Sequence, residues 1–163
     1  ICLYQYSKIS NSDDKVFQLA LTEKLIKMSL FISFIAIFIV SAVPTSFYTW
    51  LFGEEFMELK SIIVILLPGI FVYNYYLIIS HYFSGKGKFL FNAIATFMGL
   101  LVTLILIFFL IPKFGIKGAA LTAIIYYFIT SIVILVFYIR QGGKFVFFPN
   151  YSEISNYMFS NKV

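Results

Sequence analysis

Charge is the first thing this sequence lacks. Asp, Glu, Lys and Arg make up 12% of its 163 residues, against about 25% in soluble globular domains. The chain is 61% hydrophobic and 21% aromatic, more apolar side chain than a soluble fold of this length can bury, so the solvent it is built for is lipid. Chemistry-bearing residues are as scarce. The single cysteine, Cys2, has no partner in the chain, which excludes an intrachain disulfide. There is one histidine, His81, and no acidic residue inside the long apolar runs, so neither a metal site nor a nucleophile–base pair can be assembled. The sequence therefore reads as that of a non-enzyme without metal or cofactor. It begins with Ile1 and shows no signal-peptide pattern there, and the expectation is a downstream piece of a longer protein.

What the chain does have is long apolar runs. Four uncharged stretches, at about 28–53, 61–85, 89–112 and 118–139, are each bounded by charge. A helix needs about 20 apolar residues to cross roughly 30 Å of hydrocarbon, and every run is long enough. The third run holds sixteen Leu, Ile, Phe and Val residues between Phe89 and Ile111. At about −0.3 to −0.6 kcal/mol each, insertion is favourable by at most roughly 5 to 10 kcal/mol, and no central charge opposes it. The expected fold is an all-α integral membrane protein with four transmembrane helices. Residues 1–27 form a polar, interfacial lead-in, residues 28–139 the transmembrane domain, and residues 140–163 a tail. Within the lead-in, the pattern from Phe17 to Lys27 suits a helix on the membrane surface, with Asp13 or Ser12 as its N-cap.

The net charge of +5 does not point to nucleic acid. The basic residues lie beside the apolar runs rather than in one cluster, which suits anchoring at the surface of a lipid bilayer. With four spans, Lys8, Lys15, Lys24, Lys27, Lys86, Lys88, Arg140, Lys144 and Lys162 share one side, while only Lys60, Lys113 and Lys117 lie opposite, with Glu54, Glu55 and Glu58. Nine against three predicts that both termini are cytoplasmic. Tyr48, Trp50 and Phe52 would then form an interfacial aromatic belt on the outer side.

The connection at residues 111–121, I-P-K-F-G-I-K-G-A-A-L, reads as a tight helical hairpin. Pro112 is expected to stop the third span, Gly115 to take positive φ in the turn, and Gly118 and Ala119 to start the fourth span with almost no side chain. Small residues let membrane helices approach closely where lipid gives no hydrophobic drive. Ala95, Gly99 and Thr103 make one such stripe at four-residue spacing on the third span. Gly115, Ala119 and Ala123, flanked by Gly118 and Thr122, make another. The two stripes are expected to meet each other or helices outside this chain. Pro68-Gly69 inside the second span predicts a kink or a flexible point.

Several polar residues sit where polarity is costly. Asn74 falls near the middle of the second span, beside Tyr73, where an amide must find a partner or water. It lines a polar path or bonds to a neighbouring helix, and the residues alone leave both open. Asn92, near the start of the third span, has the same two readings. Tyr126, Tyr127, Thr130 and Ser131 bring hydroxyls to the centre of the fourth span, where helix packing is the plain role. Lys86 and Lys88 in G-K-G-K are positive-inside lysines or attract anionic lipid headgroups or a substrate diphosphate; the segment lacks the G-x-x-x-x-G-K-[ST] spacing of a phosphate loop. His81, one turn before that loop, is an interfacial histidine or a proton-coupling group.

In this order the features resemble a known family. L-F-G-E-E-F at positions 51–56, L-L-P-G-I at 66–70, S-G-K-G-K at 84–88 and I-P-K-F-G-I-K-G-A-A-L at 111–121 are similar to the C-terminal part of polysaccharide biosynthesis and O-antigen flippases of the multidrug/oligosaccharidyl-lipid/polysaccharide exporter superfamily. The resemblance covers about residues 10–145. It implies the last four helices of a two-lobe transporter of about twelve to fourteen spans in a bacterial inner membrane. It also implies alternating-access export of a lipid-linked oligosaccharide, whose sugar and diphosphate would occupy a central cavity shared with the missing N-terminal helices. Two alternatives stay open: a multidrug antiporter or peptidoglycan-precursor flippase of the same superfamily, and a stand-alone four-helix membrane scaffold or subunit.

Overall fold

The computed structural model describes residues 2–146, apart from the side chains of Cys2, Leu3 and Phe56. The remainder of the expected tail, with Lys162, lies outside the described residues. Within them the chain is all-helical: α1 (Cys2–Ser10), α2 (Lys15–Ala42), α3 (Thr45–Phe52), a 3-10 turn (Glu54–Phe56), α4 (Leu59–Gly85), α5 (Phe89–Phe114) and α6 (Ile116–Arg140). Four of these, α2, α4, α5 and α6, are long and apolar enough to cross a membrane.

The first long helix begins earlier and ends earlier than the sequence suggested. Its N-cap is Asp14, neither Asp13 nor Ser12: the Asp14 carboxylate accepts the Val16 N–H at 2.9 Å, and Ser12 Oγ in turn accepts the Asp14 N–H at 3.3 Å. From there a single helix absorbs the stretch expected to lie on the surface. It stops at Ala42, because a residue before proline is driven out of the helical region, and Val43, preceding Pro44, has φ −63° and ψ 124°. The expected first span to residue 53 is therefore two helices, with Trp50 on the separate α3.

Pro68 and Pro112 do not break their helices. Pro68 lies inside an uninterrupted α4, and Gly69 supplies close approach: a Cβ there would stand 2.9 Å from Tyr127 Cδ2 and 3.2 Å from Ile124 Cα on α6. Pro112 does not end α5, which runs two residues further, and the Gly115 N–H bonds back to the Ile111 carbonyl at 2.8 Å. Pro112 removes one helical bond, the one its N–H would have made to the Phe108 carbonyl, and this close to the helix end only a single bond is lost. The reversal is made by Gly115 alone, at φ 55° and ψ −131°, a region closed to side chains. The fourth helix accordingly starts at Ile116 rather than Gly118.

Packing sets the order α2, α4, α6, α5, with α4 and α6 as the inner pair. The α5 stripe packs on α6, but against Tyr126 and Thr130 rather than against the small residues that begin α6. Ala95 and Gly99 of α5 are buried, and a Cβ on Gly99 would lie 2.5 Å from Thr130 Cγ2 and 2.8 Å from the Tyr126 ring. Gly118 rests on the Leu110 carbonyl across the hairpin. Thr122 is buried beside it, its hydroxyl donating to the Gly118 carbonyl at 2.9 Å. Ala119 is exposed and takes no part in this contact.

The main core lies at the lysine-rich end, where α1, the start of α2 and the ends of α4 and α6 converge. Ile9, Leu25, Ile26, Leu30, Ile78, Ile79, Tyr82, Phe83, Ile134 and Tyr138 are buried together there. Helix α1, absent from the sequence-based expectation, seats Ile9 against Gly85, where a Cβ would be 2.9 Å from Ile9 Cγ2. It is tied to α2 by polar groups: Gln5 Nε2 donates to Thr22 Oγ1 at 3.2 Å, and Gln18 Nε2 donates to the Ile9 carbonyl at 3.2 Å and the Ser12 carbonyl at 2.5 Å. Isolated helices this short are marginal in water, so these contacts hold it.

Candidate functional site

Asn74 is a structural tie between α2 and α4. Its Oδ1 accepts from Ser29 Oγ at 2.6 Å, and its Nδ2 donates to Ser33 Oγ at 2.9 Å and to the carbonyls of Ile70 and Phe71 at 3.1 Å. Both ends of the amide are occupied by protein, which is how a polar group is kept at bilayer depth. Asn92 does similar work one connection later. Its Nδ2 donates to the Ser80 carbonyl at 3.0 Å and to Ser84 Oγ at 2.9 Å, pinning the start of α5 to the end of α4. Its Oδ1 is buried without a partner among the described residues.

The loop cations are also engaged within the chain. Lys86 Nζ donates to the Tyr82 hydroxyl at 3.3 Å and lies 5.2 Å from the centre of that ring, a cation–π distance. Lys88 Nζ donates to Gln141 Oε1 at 3.2 Å, bridging the α4–α5 loop to the end of α6. His81 is half-buried on α4. These residues and Asn92 share the lysine-rich end, whereas Tyr73 and Asn74 lie about two turns further along α4.

What does converge is aromatic. Tyr73 stacks on Tyr76 with ring centres 5.0 Å apart and planes 14° apart; Tyr127 lies 4.7 Å from Tyr73, and Tyr126 lies 6.4 Å from it. The Tyr76 and Thr96 hydroxyls are hydrogen-bonded at 3.0 Å. Next to this cluster, Thr103, Ile107, Thr122, Ala123, Tyr126 and Tyr127 line a hollow of about 310 Å³, and Thr103 Oγ1 is buried there without a partner among the described residues. Four half-buried tyrosines thus offer ring faces together with hydroxyls that both donate and accept. Sequence reasoning named Tyr73, Tyr126 and Tyr127 but missed Tyr76. The signal was present, because residues three apart share a helix face.

A second cavity is apolar. Phe34 and Ile37 of α2, Leu67 and Phe71 of α4, and Phe128 and Leu135 of α6 are among the side chains around a groove of about 840 Å³. Tyr75 and Ser131 bring hydroxyls to its lining, but the Tyr75 hydroxyl is taken by the Val146 carbonyl and the rest of the wall is apolar, so the tyrosine cluster is the better candidate for recognising a polar molecule.

Four apolar helices with polar ties and no metal-ligating cluster among the described residues define a helical membrane protein. Its sequence is similar to a capsular polysaccharide biosynthesis protein, CapF, of Staphylococcus aureus, at 28% identity over 140 residues. That match covers 86% of this chain and 35% of the relative, so the chain spans about a third of the length of the protein it matches. No family model and no solved structure matches it.

Proposed function

We propose that this chain is the membrane-embedded C-terminal part of a flippase that carries a lipid-linked oligosaccharide, a polysaccharide precursor, across a bacterial inner membrane by alternating access. The observation that carries the reading is the similarity to a capsular polysaccharide biosynthesis protein along nearly the whole of a chain with four membrane-length helices. The tyrosine cluster suits such a cargo: a sugar ring lays its C–H face on an aromatic ring while its hydroxyls exchange hydrogen bonds with neighbouring tyrosine and threonine hydroxyls. The lysine-rich end faces the cytoplasm in this reading. At the opposite end, Lys117 is paired with Glu58 at 3.2 Å, which answers one of the three exceptions to the charge bias.

The experiment is complementation. The full-length protein, with whatever spans precede this part, is expressed in a cell lacking its own flippase and surface polysaccharide is measured. Restored polysaccharide is expected. Stable membrane expression without restoration overturns the reading and favours another cargo of the same superfamily or a scaffold role.

A further inference from the structure

After α6 the chain reverses direction. It turns at Gly142, which has φ 97°, and runs back along α4. Gly143 is buried flat on the Tyr138 ring, and any side chain there would run into it. The Lys144 N–H donates to Glu23 Oε1 of α2 at 3.2 Å. Phe145 stacks on Tyr75, ring centres 5.7 Å apart and planes 9° apart, and the Tyr75 hydroxyl donates to the Val146 carbonyl at 2.6 Å. Phe145, 59% exposed on its other side, thereby forms part of the wall of the apolar groove between α2, α4 and α6.

Depth gives this contact its meaning. Helix α4 has 27 residues and is about 40 Å long, and Tyr75 lies about 15 Å from its Gly85 end. A hydrocarbon layer of roughly 30 Å centred on α4 puts Tyr75 within about 5 Å of the midplane. Non-helical backbone at that depth is tolerated only where protein or water covers it. We propose that residues 141–146 form a re-entrant plug that turns at Gly142, fills the lysine-rich end of the α2–α4–α6 groove, and is latched by the Tyr75 hydroxyl on the Val146 carbonyl. The lysine-rich end of the groove is therefore covered by the chain itself. Two hydrogen bonds, Tyr75 to Val146 and Lys144 to Glu23, and one ring stack hold the strap, so the plug can leave without unfolding a helix.

The test uses the full chain in open membrane fragments with Cys2→Ala as background. Val146→Cys keeps the latching carbonyl and the Phe145 stack; Asn11→Cys, at an exposed site, is the reference. A water-soluble maleimide should react with the Val146 thiol about tenfold more slowly than with the Asn11 thiol, because an apolar surrounding disfavours the thiolate. Adding Tyr75→Phe, which keeps the ring, should raise the Val146 rate about fivefold, the population change expected from one hydrogen bond. Phe145→Ala should shift it in the same direction. Equal rates at positions 146 and 11 with Tyr75 intact would show the strap in water and overturn the plug. A slow Val146 thiol that neither Tyr75→Phe nor Phe145→Ala accelerates would overturn the latch.

Discussion

The two halves of α2 differ in a way that reverses the usual rule of burial. Its first half, which carries Gln18, Thr22, Lys24 and Lys27, is the part buried in this chain: Gln18, Thr22, Leu25 and Ile26, with Leu30 just beyond, are buried where α2 packs on α1 and α4. The second half is more apolar and more exposed, with Ile32, Phe34, Ile35, Phe38 and Ile39 all at the surface. In water that pattern would be a misfold. In lipid, apolar side chains gain nothing by leaving the solvent, so contact follows polar ties and close fit rather than hydrophobicity. Asn74 with Ser29 and Ser33 marks the boundary between the halves. Beyond it the apolar groove between α2, α4 and α6 opens.

The largest effect is expected where fit alone decides. Gly118→Leu would drive a side chain into the Leu110 carbonyl, a backbone atom with nowhere to move, so the α5–α6 hairpin should fail to close. Folded protein recovered from membranes should fall to a small fraction of the parent level, whereas Ala119→Leu, at an exposed site, should be recovered normally. The next contrast tests the halves directly. Ile79→Ala in the lysine-rich core should cost about 2–5 kcal/mol in a reversible detergent unfolding titration. Phe38→Ala on the far half of α2, where the residue is 72% exposed, should cost close to nothing in this chain. A cost at Phe38 in the longer protein that equals the cost at Ile79 would show that the far half is covered by protein there.

A smaller effect belongs to the boundary itself. Asn74→Leu removes four hydrogen bonds at once, yet the two serine hydroxyls can turn back to their own helix carbonyls. The expected loss is about 1–2 kcal/mol, the usual scale for polar ties between membrane helices. A larger loss in the same titration would mean that Ser29 and Ser33 stay unpaired.

This boundary also shows what the sequence could and could not tell. Four spans, the glycine at the α5–α6 turn and the meeting of Ala95 and Gly99 with α6 were legible, because each follows from length, φ or side-chain size at one place. The break at Val43 was legible too, from Pro44, but a long uncharged run concealed it. Partners were not legible. Asn74 reads the same whether its amide faces a cavity or two serines some forty residues earlier, since pairing is settled by helix rotation and not by local pattern. The tyrosine cluster needed Tyr73 and Tyr76 to face Tyr126 and Tyr127 across two helices, and α1 carries too few residues to announce itself.

The smallest effect is expected at the far end, and it sharpens the comparison from the other side. Lys117 and Glu58 form the ion pair there, at 3.2 Å, with side chains 44% and 67% exposed. Exposed pairs of this kind contribute about 0.2–1 kcal/mol and are screened by salt. Lys117→Ala should therefore lower stability by a few tenths of a kcal/mol at low ionic strength and by nothing measurable at 1 M salt. The far end is held by the Gly115 turn and the Gly118–Leu110 contact, neither of which involves charge. A loss at Lys117 that persists in high salt would mean that the pair is shielded from water, and that protein outside this chain covers the far end.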